Sequence, residues 1–194
     1  MTTSLLQPTN TANEIRLVAT LTTAFAADPA VRWMYPDPLQ FLTHFPDFVQ
    51  AFAGKAFAHG TAEVVNGFAA VALWLPPGVS PDETAIVEVL NGSVSAARLP
   101  DMFRLFEQMG AYHPIESHWY LPLIGVDPAQ QGRGCGSAMM RRALARCDRD
   151  HVPAYLEATD PRNLSLYERV GFKRVGRIQA GSSPEIVPML RPAR

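Results

Sequence analysis

Apolar residues repeat at helical spacing through most of the first 60 residues. In residues 12–29, "ANEIRLVATLTTAFAADP", the apolar positions fall on one face of a helix that ends at Asp28-Pro29. That face carries Leu17, Leu21, Ala24 and Phe25. A second helix is predicted from about Pro38 to Phe57, after the short aromatic and proline-rich segment "AVRWMYPDP".

The pattern changes to strands in residues 62–78, "AEVVNGFAAVALWLPPG". Two runs rich in β-forming residues flank Asn66-Gly67, the dipeptide that best allows positive φ at both positions of a two-residue hairpin turn. The pattern predicts an antiparallel hairpin whose second strand ends at Pro76-Pro77-Gly78.

The C-terminal half alternates between helices and strands. Residues 81–111 read as helical, with a break at Asn91-Gly92 or Leu99-Pro100. A strand ending near Val126 is followed by a glycine-rich loop and a helix to about Asp150. The final elements are a strand "PAYLEAT", a short helix "NLSLYERV", and two strands around "GSSP". A strand–helix–strand unit requires a parallel pair, so we predict an α/β (α+β) fold with a mixed sheet.

Composition narrows the class of protein and of partner. The 194 residues are 47% apolar, which predicts a globular chain, and the net charge of −1 gives no support to binding of nucleic acid or of a charged membrane surface. The chain has no secretory signal pattern and no run of ~18 apolar residues that would span a membrane. Cys135 and Cys147 lie too far apart on one helix for a disulfide, and they read as free thiols in a reducing cytoplasm. We expect a flexible tail over residues 1–12 and one domain over residues 13–194.

The segment "QQGRGCGSAMM" concentrates glycines immediately before a helix. That helix has one apolar face, formed by Met140, Ala143, Leu144 and Cys147. The backbone N–H groups of its first turn lack intrahelical acceptors, and the helix dipole favours an anion at the same place. The alternative is a flexible turn that needs positive φ.

Two other phosphate-binding loops fit this segment less well. A Walker loop needs a lysine after its last glycine, and Gly136 is followed by Ser137-Ala138. A dinucleotide-binding unit would place a ribose-binding acid about twenty residues after the glycines, where Glu157 lies. In such a unit, however, the glycine loop follows the strand directly. Here "DPAQQ" separates the strand from the first glycine.

Two motifs resemble those of the GNAT superfamily of N-acyltransferases. "GVDPAQQGRGCGSAMM" is similar to the acyl-CoA signature, with Gln131, Gly134 and Gly136 at its fixed positions. "DPRNLSLYERVGF" resembles the second motif, in which an asparagine and a tyrosine precede Gly-Phe. The similarity covers residues 117–191 and within the superfamily looks closest to puromycin-type acetyltransferases. It implies the GNAT fold, with helices on both faces of the sheet and a parallel strand pair that splays at the CoA site.

The resemblance also implies how acetyl-CoA binds as cosubstrate, with no metal. The strand ending at Gly125-Val126 would pair with the pantetheine amides, and loop residues would contact the pyrophosphate. The implied CoA-binding residues are Ile124, Gly125, Val126, Gln131, Gly132, Arg133, Gly134, Cys135, Gly136, Ser137, Asn163 and Tyr167. Cys135 occupies a variable position of the motif, so we interpret it as filler near CoA.

Direct acetyl transfer needs a deprotonated amine and a proton for the departing thiolate. The resemblance assigns the proton donor to Tyr167. Glu157 and His118 are the candidate bases. Burial of Glu157 on a strand would make its carboxylate a better base. His118 could lie on the same strand face as Tyr120. A water chain without a dedicated base remains an alternative, and His113 lies in the approach loop. We expect Asn163 to act as an N-cap and Gly171 to end the short helix in the left-handed conformation.

The predicted function is transfer of acetyl from acetyl-CoA to a primary amine of a small molecule. The alternatives are a peptide or protein N-acetyltransferase and a CoA-binding sensor without turnover. A homodimer is left open. The expected lining of the acceptor pocket is aromatic and comprises Trp33, Tyr35, Trp74 and Trp119, with ordinary core packing as the alternative for Trp74.

Overall fold

The computed structural model describes residues 3–5 and 11–194, in which seven strands form one sheet. The strands are β1 (Thr3–Leu5), β2 (Ala62–Val65), β3 (Ala70–Leu75), β4 (Trp119–Val126), β5 (Ala154–Ala158), β6 (Lys173–Arg174) and β7 (Val187–Arg191). Their order across the sheet is β1-β2-β3-β4-β5-β7-β6. Every neighbouring pair is antiparallel except β4 and β5, which run parallel. The predicted mixed, mostly antiparallel sheet with one parallel pair is confirmed.

Eight α-helices in residues 11–194 cover the two faces of this sheet. They are α1 (Thr11–Phe25), α2 (Pro29–Met34), α3 (Pro38–Ala53), α4 (Lys55–Ala58), α5 (Glu83–Ser93), α6 (Leu99–Tyr112), α7 (Cys135–Arg149) and α8 (Leu164–Arg169). Short 3-10 turns, Pro128–Gln130 and Pro161–Asn163, precede α7 and α8. No helix in this part of the chain is both long and apolar enough to cross a bilayer.

Strand β3 separates two cores because its side chains alternate between the sheet faces. Leu73 and Leu75 belong to the core that includes the buried residues of α1, α3 and α6. Ala72 and Trp74 belong to the core beneath α7 and α8. The two faces therefore bury separate sets of apolar side chains, and β3 contributes to both.

Helix α7 packs on the sheet through the face that the sequence predicts. All four residues of that face are buried, and both cysteines of the chain are buried free thiols, as predicted. Burial raises the pKa of the Cys147 thiol to about 12, which leaves it protonated and unreactive.

Strand β4 contains a bulge at Leu121-Pro122. Leu75 pairs with Tyr120 and Leu73 with Leu123, so β4 uses three steps where β3 uses two. Proline has no N–H to donate, and a bulge is one of the few places in a sheet that accepts it.

The parallel pair β4–β5 extends over two positions only. Trp119 pairs with Ala154 and Tyr120 with Tyr155, after which β4 continues to Val126 bonded to β3 alone. The strands part at the bulge. This confirms the splayed parallel pair that the resemblance implies.

Several predicted elements differ in their boundaries. The helix predicted from Pro38 to Phe57 is split at Gly54, where a Cβ would lie 2.4 Å from the Gln50 carbonyl oxygen. The segment after α1 is itself helical, because Asp28 caps α2 through the N–H groups of Ala30 and Val31. Asp28-Pro29 therefore ends one helix and begins the next.

Two loops also differ from prediction. The hairpin loop has four residues, since Val65 pairs with Ala70, although Asn66 and Gly67 both have the predicted positive φ. The break between α5 and α6 falls at residues 94–98, between the two predicted positions.

In the predicted tail, residues 3–5 pair with β2 and α1 begins at Thr11. Residues 1–2 and 6–10 lie outside the described residues.

A buried ion pair joins β2 to α7. The carboxylate of Glu63 is 1% exposed, and its Oε1 lies 3.3 Å from Nη2 of Arg146, whose guanidinium stacks 4.1 Å from the Trp119 ring centroid. Burial raises the pKa of Glu63, and the charge of Arg146 opposes that rise. The guanidinium therefore offsets part of the cost of burying this carboxylate.

We predict that Arg146→Met lowers the free energy of unfolding by about 3–5 kcal/mol at pH 7, because it leaves the buried carboxylate unpaired. Without the guanidinium the folded-state pKa of Glu63 rises further above its unfolded value, so stability falls as the pH rises through that interval. Denaturant unfolding at pH 4.5 and pH 8 should show the larger loss at pH 8. The double variant Glu63→Gln/Arg146→Met is the control and should recover most of the loss; an equal loss at both pH values would contradict the assignment.

Candidate active site

A cavity of about 560 Å³ lies where β4 and β5 part. One wall is the unpaired edge of β4, and a second is the loop that leads into α7. Helices α1, α2, α3 and α6 close the opposite side, and β5 and α8 complete the lining. The cavity therefore brings together both sequence motifs and the N-terminal helices.

The loop before α7 reaches the cavity through glycines in the left-handed region. Gly132 has φ +74° and Gly134 has φ +79°, conformations that other residues rarely adopt. Gly134 occupies the N-cap of α7 and offers no side-chain acceptor, so the first N–H groups of the helix are uncapped. Cys135, Gly136 and Ser137 follow, and all three line the cavity.

The third glycine of the motif, Gly136, is not in the left-handed region. Gly136 lies within the first turn of α7, where a Cβ would make only ordinary contacts of 3.5 Å with Val126 and 3.6 Å with Leu166. The side chain of Cys135 is buried in the core beneath α7, in keeping with its interpretation as filler. Gln131 lies next to the cavity, and its amide nitrogen is 3.4 Å from the Val126 carbonyl oxygen.

The unpaired edge of β4 forms the wall beside this loop. Ile124, Gly125 and Val126 line the cavity, and none of them pairs with β5. Gly125 is also fixed by packing, because a Cβ there would lie 2.7 Å from the Ala24 Cβ of α1. The close approach of α1 to β4 thus requires glycine at this position.

Helix α8 places Tyr167 against the cavity. The tyrosine is 5% exposed, and burial, followed by the negative charges of Asp28 and Asp160, raises the pKa of its hydroxyl. The hydroxyl is therefore protonated at neutral pH and can donate.

Asn163 does not cap α8, contrary to the sequence expectation. Its backbone is already helical and its side chain makes no capping bond; Asp160 instead accepts from the Arg162 N–H of the preceding 3-10 turn. Asn163 lines the cavity. Gly171, with φ +102°, ends the helix as predicted.

Glu157 lies on β5 at the point where the strands part. Its side chain is 4% exposed, Oε2 accepts a hydrogen bond of 2.8 Å from the Tyr120 hydroxyl, and Oε1 lies 3.3 Å from Nε2 of His113. Burial and the charge of Glu157 hold the pKa of Tyr120 well above its usual range, so Tyr120 remains a donor. The carboxylate lines the cavity and is fixed by a strand neighbour and by a residue at the end of α6.

His118 lies outside the cavity lining. Strand β4 begins one residue later, and Nδ1 of His118 is 2.7 Å from the Glu116 carbonyl oxygen. Its ring contacts His113 and Tyr155 at centroid distances of 5.4 and 5.9 Å, and burial lowers its pKa. Of the two candidate bases, the structure brings Glu157 to the cavity, and a catalytic role for either stays a prediction.

The aromatic lining differs from the expected set. Trp33 lines the cavity, whereas Trp74 and Trp119 are in the core beneath α7 and the Tyr35 hydroxyl bonds to Ser93. The aromatic wall is instead made of phenylalanines from α1, α3 and α6. They are Phe25, Phe45, Phe48, Phe52 and Phe106. In the sequence these residues have the helical spacing of ordinary core, so no local signal distinguishes them.

His113 is a further residue whose position the sequence could not indicate. It follows α6 directly and reaches Glu157 through a contact between residues 44 positions apart in the chain (157 − 113). Within residues 3–5 and 11–194, no three or more His, Cys, Asp or Glu side chains form a group that could hold a metal.

Comparison with known proteins agrees with this geometry. The profile described as "Acetyltransferase (GNAT) domain" matches residues 94–174. An uncharacterised N-acetyltransferase of Schizosaccharomyces pombe is 24% identical over 171 residues, which cover 81% of this chain and 69% of that protein.

Solved structures share the fold over its whole length. A structure described as histone acetyltransferase HPA2 and related acetyltransferase from Corynebacterium glutamicum has a TM-score of 0.69 and 25% identity, covering 100% of this chain and 98% of its own. The polyamine N-acetyltransferase of Drosophila melanogaster has a TM-score of 0.66 at 14% identity and covers 97% of each chain, a likeness of fold alone. The profile match spans both the loop before α7 and helix α8. Together, the profile match, the relative and the shared fold support a GNAT-superfamily acetyltransferase.

Proposed function

We propose that this acetyltransferase transfers acetyl from acetyl-CoA to the primary amine of a small molecule by direct attack. The observation that carries the proposal is one cavity that joins the uncapped start of α7 and the free edge of β4 to Glu157 and Tyr167. Within this one cavity, the start of α7 would bind an anion and the edge of β4 offers unpaired backbone groups. Glu157 supplies a carboxylate and Tyr167 a phenol.

The residues present fit acetyl-CoA as cosubstrate. The N–H groups at the start of α7 suit the pyrophosphate, since uncapped N–H groups and the helix dipole both favour an anion. The β5-facing edge of β4, residues 121–126, offers backbone groups for the pantetheine amides. A chain of net charge −1 can hold a highly charged ligand in this way, because fixed dipoles replace a broad positive field.

Two side chains then supply the proton transfers. Glu157 accepts the proton that the bound ammonium loses before its nitrogen attacks the thioester, and His113 offers that proton a partly exposed way out. The proton released as the C–N bond forms balances the one that Tyr167 gives to the sulfur. Tyr167 donates towards the sulfur as the C–S bond breaks. The products are an N-acetylamide and the free thiol of CoA, and no other reactant is needed.

A small acceptor fits this cavity better than an exposed peptide. The helical walls of α1, α2, α3 and α6 enclose the end of the cavity beside Glu157, and a polyamine N-acetyltransferase shares the fold. The name of the Corynebacterium glutamicum structure keeps a protein acceptor as the alternative. A CoA sensor without turnover is the third, and measurement of acetyl-CoA turnover with small amines and with peptides distinguishes the three.

We predict that Ser137→Glu weakens acetyl-CoA binding by about 10-fold or more. One charge near a helix terminus usually changes the affinity for an anion by at least a factor of a few. Glutamate at this third helical position suits the helix and keeps the fold, while its charge repels a phosphate. Gly134 is a poorer site for this test, because its positive φ would strain any other residue.

Isothermal titration with acetyl-CoA measures the effect, with Ser137→Gln as a control of equal size and no charge. An equal loss in both variants would point to a steric cause and remove the support for an anion site.

We predict that Tyr167→Phe lowers kcat by roughly 10²-fold or more, the usual contribution of acid–base assistance, with little change in acetyl-CoA affinity. The ring and its packing against Phe172 remain, so only the hydroxyl is lost. Steady-state kinetics and titration on one preparation measure both quantities. Unchanged kcat would mean that the proton comes from another donor.

We predict that Glu157→Gln lowers kcat/KM by about 10²-fold at pH 7 and that the loss shrinks towards pH 10. Near the pKa of an alkyl amine, about 10, about half of the acceptor reaches the enzyme already deprotonated and needs no base. His118→Gln, measured in parallel, decides between the two candidate bases. A large, pH-dependent loss in His118→Gln with none in Glu157→Gln would reverse the assignment.

A further inference from the structure

The acceptor end of the cavity is bounded by a continuous phenyl wall. Phe45 packs on Phe48 at a centroid distance of 6.1 Å, Phe48 on Phe52 at 5.3 Å, and Phe106 of α6 meets Phe52 edge-on at 6.0 Å. Phe25 of α1 extends the wall, 5.5 Å from Phe45. The wall is built from three helices and is apolar along its length.

The phenyl wall ends at the catalytic carboxylate. Phe52 contacts the Tyr120 ring edge-on at 6.2 Å, and the Tyr120 hydroxyl bonds to Glu157. Among the described residues, the buried Oε1 of Glu157 accepts no hydrogen bond, so Glu157 can still accept from an ammonium in the cavity. The acid and the apolar surface are therefore adjacent.

The other carboxylates that line the cavity accept more hydrogen bonds from the protein. Asp28 accepts from the N–H groups of Ala30 and Val31 and from the Thr159 hydroxyl at 2.6 Å. Asp160 is paired with Arg162, whose hydrogen bonds hold the pKa of that carboxyl below its usual range.

Among the described lining residues, Glu157 is thus the acid that has no arginine, lysine or backbone N–H bonded to it. The cavity offers one place for a cation, with phenyl rings beside it. A second ammonium on the acceptor would lie against phenyl rings without a partner, which is costly to desolvate.

We infer that the acceptor is a monoamine with an apolar body: the ammonium binds Glu157 and an aryl or alkyl chain lies along the phenyl wall. The inference rests on the proposed function and adds the substrate class. It sets this chain apart from enzymes whose acceptors carry two cationic groups.

A matched pair of acceptors tests the inference. Hexylamine and 1,5-diaminopentane have the same number of non-hydrogen atoms, and they differ in that a terminal methyl group replaces a second ammonium. We expect kcat/KM for hexylamine to exceed that for the diamine by about 10²-fold or more, since an apolar pocket distinguishes even a methylene by about 10-fold. A diamine that is acetylated as fast as hexylamine, or faster, overturns the inference while the proposed function stands.

A charge placed in the phenyl wall tests whether this wall causes the preference for hexylamine over the diamine. Phe106 is partly buried, so substitution there is compatible with folding. We expect Phe106→Glu to reduce the hexylamine-to-diamine ratio by about 10-fold or more relative to Phe106→Gln, which has the same size without the charge. An unchanged ratio in the two variants would mean that the acceptor body lies elsewhere.

The same assay separates failure of the inference from failure of the proposed function. A peptide series with a free N-terminus is run beside the amines, and acetyl-CoA binding is measured by titration. Acetyl-CoA binding with no turnover of any amine overturns the proposed function itself. Faster acetylation of the peptides overturns both the small-molecule acceptor and the apolar monoamine.

Discussion

The separation of β4 from β5 is the constraint on which the rest of the site depends. The two strands share two paired positions, and then the bulge at Leu121-Pro122 turns β4 away. An unpaired strand edge is normally a liability, because its free N–H and C=O groups attract another chain. Here the edge lies inside the cavity, covered by helices, where a ligand with amide groups can use it. The same parting opens the space that the loop before α7 and helix α8 border.

Glu157 connects this backbone feature to the chemistry. Glu157 lies two residues beyond Tyr155, which is the last residue of β5 that pairs with β4. Tyr120, the partner of Tyr155 on β4, donates a hydrogen bond to the Glu157 carboxylate. The carboxylate is therefore fixed at the point where the strands begin to separate. His113 contacts its other oxygen and is itself partly exposed, so a buried acid retains a connection to solvent.

The two ends of the cavity differ in their physical character. At the start of α7, backbone dipoles provide an anion site that needs no net positive charge. At the other end, phenylalanines of α1, α3 and α6 provide apolar contact next to one carboxylate. The sheet keeps these ends at fixed positions, because α1 packs directly on Gly125 while α7 packs on the opposite face.

The sequence by itself determined most of the elements, the parallel pair and the loop before α7, because these follow from local periodicity, from turn residues and from a motif of contiguous residues. It also placed Tyr167 and Glu157, which lie within or beside that motif region. Tertiary structure decided which aromatic residues line the cavity, since phenylalanines of core and of pocket have the same helical spacing. It decided that Asn163 is not a cap, and it brought His113 to Glu157 from the end of α6. Contacts between distant segments leave no local pattern, so the chain must fold before Glu157 acquires its partners.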